Sequence, residues 1–164
     1  MTSDAQTEQR VRVAIAAVVE KMSTAHADDP YRILITLRHA AQVLAHHWEL
    51  PGGKVEPHET PRQAVVRELR EEVGIAVEPL AQLPPVDHDY PHAAVRLIPF
   101  VCRRIAGKPS PVEVAQTRWV RPKDLDQHAF PKASLPVLES LRAWLRTTPD
   151  KALDDLPPLP LDRD

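Results

Sequence analysis

Glu59, Glu68, Glu71 and Glu72 fall within fourteen residues just after the glycine pair Gly52 and Gly53, with no cysteine or histidine at matching spacing. Oxygen donors of this kind, free of sulfur and imidazole, select a hard cation such as Mg²⁺ or Mn²⁺ over zinc. Glu71 and Glu72 follow Glu68 by three and four residues, so on a helix the three acids share one side. Taking about 100° per residue, Val65, Val66, Leu69 and Val73 form the apolar stripe, Glu72 borders it, and Glu68 and Glu71 lie farther round. Like charges so placed repel by about 0.2–0.5 kcal/mol per pair in water and by more where solvent is excluded, so something positive belongs among them. A solvated face relieved by Arg67 and Arg70 is the alternative. The neighbouring glycines favour the ligand reading, because they let backbone approach a bound group closely and the loop after them delivers Glu59 just before the helix starts.

These acids need a helix beneath them. Pro61 to Val73 supplies it, with Pro61 suited to the first turn, Glu59 or Thr60 before it and Gly74 placed to end it. Val11 to Val19 and Tyr31 to Arg38 read as strands that can pair, joined across the polar connection Glu20 to Pro30. His39 to His47 is ambiguous between a short helix and a loop, and the run WELPGGK breaks regular structure. Ala76 to Leu83, Val86 to Tyr90, Ala94 to Arg103 and Thr117 to Val120 read as further strands, most of them separated by proline-containing turns. Ser134 to Leu145 forms a second amphipathic helix through Leu135, Leu138, Leu141, Trp144 and Leu145. This order predicts an α/β fold, a mixed sheet covered by helices.

The 164 residues suit one domain, expected over residues 1–146. Residues 147–164, rich in proline and acids, are expected to be a loosely held tail. A formal charge of -2 with both signs interspersed gives no basic face for a nucleic-acid backbone, so the expected partner is a small molecule, not a polymer. The polar first ten residues and the absence of a long apolar run predict no signal peptide and no membrane contact, hence a cytoplasmic protein. Cys102, the single cysteine, sits in an apolar stretch and reads as a buried thiol. Trp48 and Trp119 read as packing residues, and none of the eight histidines forms a metal-ligand pair.

The segment Gly53 to Ile75, GKVEPHETPRQAVVRELREEVGI, resembles the Nudix box, G-x5-E-x7-R-E-U-x-E-E-x-G-U with U apolar. Its nine specified positions are Gly53, Glu59, Arg67, Glu68, Leu69, Glu71, Glu72, Gly74 and Ile75, seven matched by identity and two by class. The wider run from Trp48 is similar to the MutT-type branch, pyrophosphohydrolases that clear oxidised guanine nucleotides, and the resemblance extends from Val11 to about Trp144.

The resemblance implies an α/β/α Nudix sandwich and Mg²⁺-dependent cleavage of a (deoxy)nucleoside triphosphate to monophosphate and pyrophosphate. Glu68 and Glu72 would be the core metal ligands, supported by Glu71 and the Gly53 carbonyl, with Glu68 the first choice of base. Arg67 would orient the acids through Glu59 or Glu71, and Lys54 would reach a phosphate. Glu113, six residues before Trp119, matches an acid that serves as a further ligand or alternative base. Arg38 corresponds to an arginine that contacts the nucleotide, and Leu50 stands where an aromatic residue is common. Ser134 replaces an asparagine that reads the oxidised purine edge, and one hydroxyl offers less than an amide's separate donor and acceptor. The run His-Asp-Tyr-Pro at 88–91 lies in a region linked in the wider family to ADP-ribose or dinucleoside polyphosphates, so these substrates stay open, as does a non-catalytic sensing module.

Overall fold

The computed structural model describes residues 9–23, 29–148 and 152–161. Strands β1 (Val11–Lys21), β2 (Tyr31–Leu37), β3 (Trp48–Glu49) and β4 (Gly52–Lys54) precede helix α1 (Pro61–Val73). Strands β5 (Ala76–Gln82), β6 (Val86–Tyr90), β7 (Ala93–Ala106) and β8 (Gln116–Val120) follow, then a 3₁₀ turn (Pro122–Gln127) and helices α2 (Ser134–Thr147) and α3 (Ala152–Asp155). The sheet runs β3-β2-β1-β7-β5, with β4 on β1, β6 on β7 and β8 on β2. The β1–β7 pair is parallel and the others antiparallel, so the sheet is mixed, as the element order implies.

The period-2 alternation of a strand explains how one sheet serves two cores. Ile15, Ala17 and Val19 of β1 pack with Val137, Leu138 and Leu141 of α2. Ala14, Ala16 and Val18 turn the other way, onto Ala64, Val65, Leu69 and Val73 of α1. Both faces of β1 are therefore dry, which is why its sequence is apolar almost throughout. Cys102 is fully buried in the α1-side core.

Three details differ from the sequence reading. WELPGGK holds two short strands rather than none, because Gly52–Lys54 pair with β1 and Trp48–Glu49 with β2, partners too distant in sequence to leave a local signal. In α2 the inward face is Ser134, Val137, Leu138 and Leu141, while Leu135 is 53% exposed, since the helix axis is set by the sheet it covers. The expected loose tail has its described part against the domain: Leu153 is buried, Leu156 packs on the α2-side core and Leu159 on the α1-side core. The Leu159 N–H donates to the Pro79 carbonyl, and Arg103 donates to the carbonyls of Leu153, Asp154 and Leu156. Among the described residues no helix is long and apolar enough to cross a membrane.

Candidate active site

Helix α1 begins where local chemistry tells it to. The Thr60 hydroxyl accepts from the Gln63 N–H at 3.2 Å and the Gln63 side chain accepts from the Thr60 N–H at 2.9 Å, a reciprocal capping box with Pro61 in the first turn. Gly74 ends it at φ 72°, a left-handed conformation that glycine adopts without strain. Sinking Ala64, Val65, Leu69 and Val73 into the sheet then fixes the acids' directions.

Arg67 is the hub. Its Nε and Nη2 donate to the two Glu59 oxygens at 2.9 and 2.7 Å, its Nη1 to Glu68 at 2.9 Å and Glu71 at 3.0 Å, and Nη2 also to the Lys54 carbonyl at 3.0 Å. The bonds to Glu59 and then Glu68 raise its pKa, and in return the hydrogen bond from Arg67 holds the Glu59 carboxyl below its usual range. A planar five-donor guanidinium can serve that many acceptors, which a lysine cannot. Arg67 thus joins the box loop to two acids of the helix.

Glu68 and Glu72 face the glycine loop. A Cβ on Gly53 would lie 2.3 Å from the Glu68 carboxyl carbon, so the carboxylate occupies the space a side chain would need. The Gly52 N–H donates to Glu72 at 3.1 Å. Gly52 also crosses β1 closely, since a Cβ there would meet the Ala14 carbonyl oxygen at 2.1 Å. Glu113 arrives from the loop before β8, and its position is set by backbone: Val112 and Glu113 N–H groups donate to the Glu72 carbonyl at 3.1 and 3.0 Å. That loop satisfies a carbonyl that the helix end leaves free.

Burial pushes the Glu72 carboxyl up to about 8, with Glu49, Glu68 and Glu113 adding repulsion against the hydrogen bond from Gly52. Glu68 is raised as well, by burial first, with Arg67 opposing and Glu71 and Glu113 reinforcing. Glu71 stands apart from this group, 48% exposed on the outer side of Arg67. Among the described residues, no three His, Cys, Asp or Glu side chains already meet as an ion's ligand shell would require. The donor set nevertheless fits a hard cation. Half-buried carboxylates raised by burial, beside a glycine backbone and free of sulfur or imidazole, lack only positive charge.

From this acidic end a cleft of about 330 Å³ extends past Gly52, Gly53, Lys54 and Glu113 to Arg38, Leu50 and Ser134. The sequence-derived positions Arg38, Leu50, Lys54, Glu113 and Ser134 therefore share one hollow with Glu72. Leu50 and Ser134 are buried in its wall. Arg38 is committed to protein partners, donating to Glu49 at 2.9 Å and to the Val43 carbonyl at 2.7 Å.

Sequence reasoning missed Glu49, which lines the same cleft and whose burial raises its carboxyl against the pull of Arg38. Its adjacency to Trp48 was the available signal, but only the pairing of Thr36 with Glu49 reveals that it faces Arg38. Tyr90 and His92 close the cleft from the β6–β7 turn, their rings stacked at 5.2 Å and 16°. The Ala133 N–H donates to the Tyr90 hydroxyl at 3.4 Å, tying that turn to the start of α2.

Residues 24–140 match the family described as NUDIX domain. Over 110 residues the chain is 37% identical to the 8-oxo-dGTP diphosphatase of Escherichia coli (strain K12), spanning 67% of this chain and 85% of that one. It is also 30% identical over 135 residues to a CTP pyrophosphohydrolase of the same organism, across 82% of this chain and 94% of the relative. The crystal structure of a MutT NUDIX hydrolase from Burkholderia pseudomallei superposes with a TM-score of 0.68 at 29% identity, covering 82% of this chain and 99% of that one.

Proposed function

The chain belongs to the Nudix hydrolase family, on its MutT and 8-oxo-dGTP diphosphatase branch, and from that premise we propose that it hydrolyses a (deoxy)nucleoside triphosphate to monophosphate and pyrophosphate. The observation that carries the reading is the convergence of Glu68 and Glu72 on the Gly52–Gly53 loop at one end of a nucleotide-sized cleft that Glu113 also lines. Glu68, Glu72 and the Gly53 carbonyl would hold Mg²⁺, with Glu113 completing the set and Glu71 supporting it through Arg67. The bound cation supplies charge neutralisation at the phosphate chain and a lowered pKa for water.

The chain's own groups do the rest. Arg67 fixes the rotamers of Glu59, Glu68 and Glu71, so the acids are positioned before substrate arrives. Glu68, already raised in pKa, is suited to accept a proton from the attacking water. The Lys54 ammonium, exposed at the cleft and without a hydrogen-bonding partner among the described residues, is free to meet a phosphate oxygen. Leu50 supplies an apolar wall for the base, and the Ser134 hydroxyl one polar contact at its edge.

An oxidised guanine nucleotide is the best single substrate. CTP is a second reading, favoured by the longer match to the pyrophosphohydrolase of that name and by serine in place of an asparagine at the base end. Incubating the protein with Mg²⁺ and a panel of oxidised and normal nucleotides, ADP-ribose and dinucleoside polyphosphates, then identifying products, decides between them. Orthophosphate in place of pyrophosphate would contradict the assigned bond, and inertness across the panel would favour a sensing module. Glu68→Gln is expected to lower kcat by about 10²–10⁴-fold, and unchanged turnover would remove it as the base.

A further inference from the structure

The outer side of α1 borders a second hollow, about 800 Å³, between the helix and the β5–β7 edge, and it shares no lining residue with the metal cleft. Arg62, Val66 and Arg70 follow one another at four-residue spacing and so form one ridge along its wall. Val77 and Pro79 of β5 form the opposite side, Leu161 lies at the rim, and Arg67 is shared with the acid network on the other side of the helix.

The charges of this groove do not balance internally. Its two acids are already engaged, Glu71 by Arg67 and Glu78 by Arg103. Arg62 and Arg70 have no acidic or hydrogen-bonding partner among the described residues, and the Arg62 Nη1 is sealed from solvent with no acceptor. That N–H is shut off from the hollow as well as from solvent, so the donors open to a ligand in the groove are the remaining N–H groups of Arg62 and those of Arg70, which line it. Two guanidinium forks offer more N–H groups than one carboxylate can accept, whereas a tetrahedral phosphate presents three or four oxygens to both.

We propose that this groove binds a phosphate-type oxyanion, inorganic phosphate or pyrophosphate, between Arg62 and Arg70. An anion seated there lies beside Arg67 and competes with Glu59, Glu68 and Glu71 for its donors, so occupancy reaches the acids of the cleft through that one side chain.

The test uses the whole protein stripped of divalent cations, titrated with phosphate or pyrophosphate against chloride at equal ionic strength, and reads the thermal midpoint with phosphorus NMR linewidths. Wild type and Glu72→Gln should show a saturable rise, and Arg62→Met and Arg70→Gln should each weaken the half-saturating concentration at least about tenfold. Arg70 is exposed, so Arg70→Gln decides the matter if Arg62→Met does not fold. No saturable effect, equal effects in the arginine variants, or loss of the effect in Glu72→Gln would overturn the assignment. Acetate acting as strongly as phosphate would overturn the phosphate preference.

Discussion

Gly53 lacks a side chain in the place where Glu68 needs room. An added Cβ would lie 2.3 Å from the Glu68 carboxyl carbon, and since a carboxylate is the movable end of a flexible side chain, the substitution should shift the acid without breaking the fold. Gly53→Ala should therefore cut turnover by about 10²-fold, the scale of a 1 Å misplacement at a reacting centre, while the thermal midpoint barely moves. Normal turnover would show that the contact is incidental. Glu72 makes the opposite case. Its folded pKa of about 8 stands above the ordinary 4.5, so above pH 4.5 the unfolded chain sheds a proton that the folded chain retains. Stability is unaffected below that value and falls as pH rises toward 8, by about 1–3 kcal/mol once relaxation of the site is allowed for. Glu72→Gln keeps an oxygen for the Gly52 N–H and removes the charge. Without divalent cations at pH 8.5 it should melt higher than wild type, yet be inactive with Mg²⁺. A variant melting lower would mean that the carboxylate is stabilising as it stands.

At the scale of elements, α1 is the part that local rules build and that the acids depend on. Replacing Thr60 with Ala leaves the Gln63 N–H without its side-chain acceptor and should cost about 0.5–2 kcal/mol. That corresponds to a drop in thermal midpoint of a few degrees in a domain of this size. Arg67 and the buried face hold the later turns, so the kinetic constants at 25 °C should change little, and a collapse of kcat would place the cap inside the catalytic geometry. The same locality explains what could be read from the chain. Cap, periodicity and stop signal lie within Thr60 to Gly74, so this helix and its acids were legible in one dimension. The engagement of Arg38 by Glu49 was not, because it depends on which edge of β2 receives β3. Glu113 was legible by its spacing from Trp119, but the two backbone bonds that bring its loop to the end of α1 were not. Leu135 was assigned to the core from its period, although only the sheet beneath decides which side of the α2 stripe faces inward.

The molecule as a whole is closed by its last described residues. Leu153 and Leu156 lie on the α2-side core while Leu159 packs on the α1-side core, so residues 152–161 pass round β5, whose one strand partner among the described residues is β7, and link the two layers across it. The composition of this stretch argues against a packed element, and its individual leucines are too sparse to build one. They suffice here because the domain supplies the rest: Arg103, anchored by Glu78, fixes the tail carbonyls of Leu153, Asp154 and Leu156, and Pro79 offers the acceptor for Leu159. Covering a sheet edge also denies it to a second chain. Leu153→Ala removes a side chain only 6% exposed and should cost about 2–3 kcal/mol, the lower part of the range for buried leucines because this site lies near the surface. Calorimetry should record a fall of roughly 5–10 °C, with turnover at 25 °C retained because no atom of the cleft is altered. An unchanged midpoint would mean that the segment adds nothing to the fold. A loss of turnover without a loss of stability would mean that its hold extends through the β5 edge to the catalytic helix.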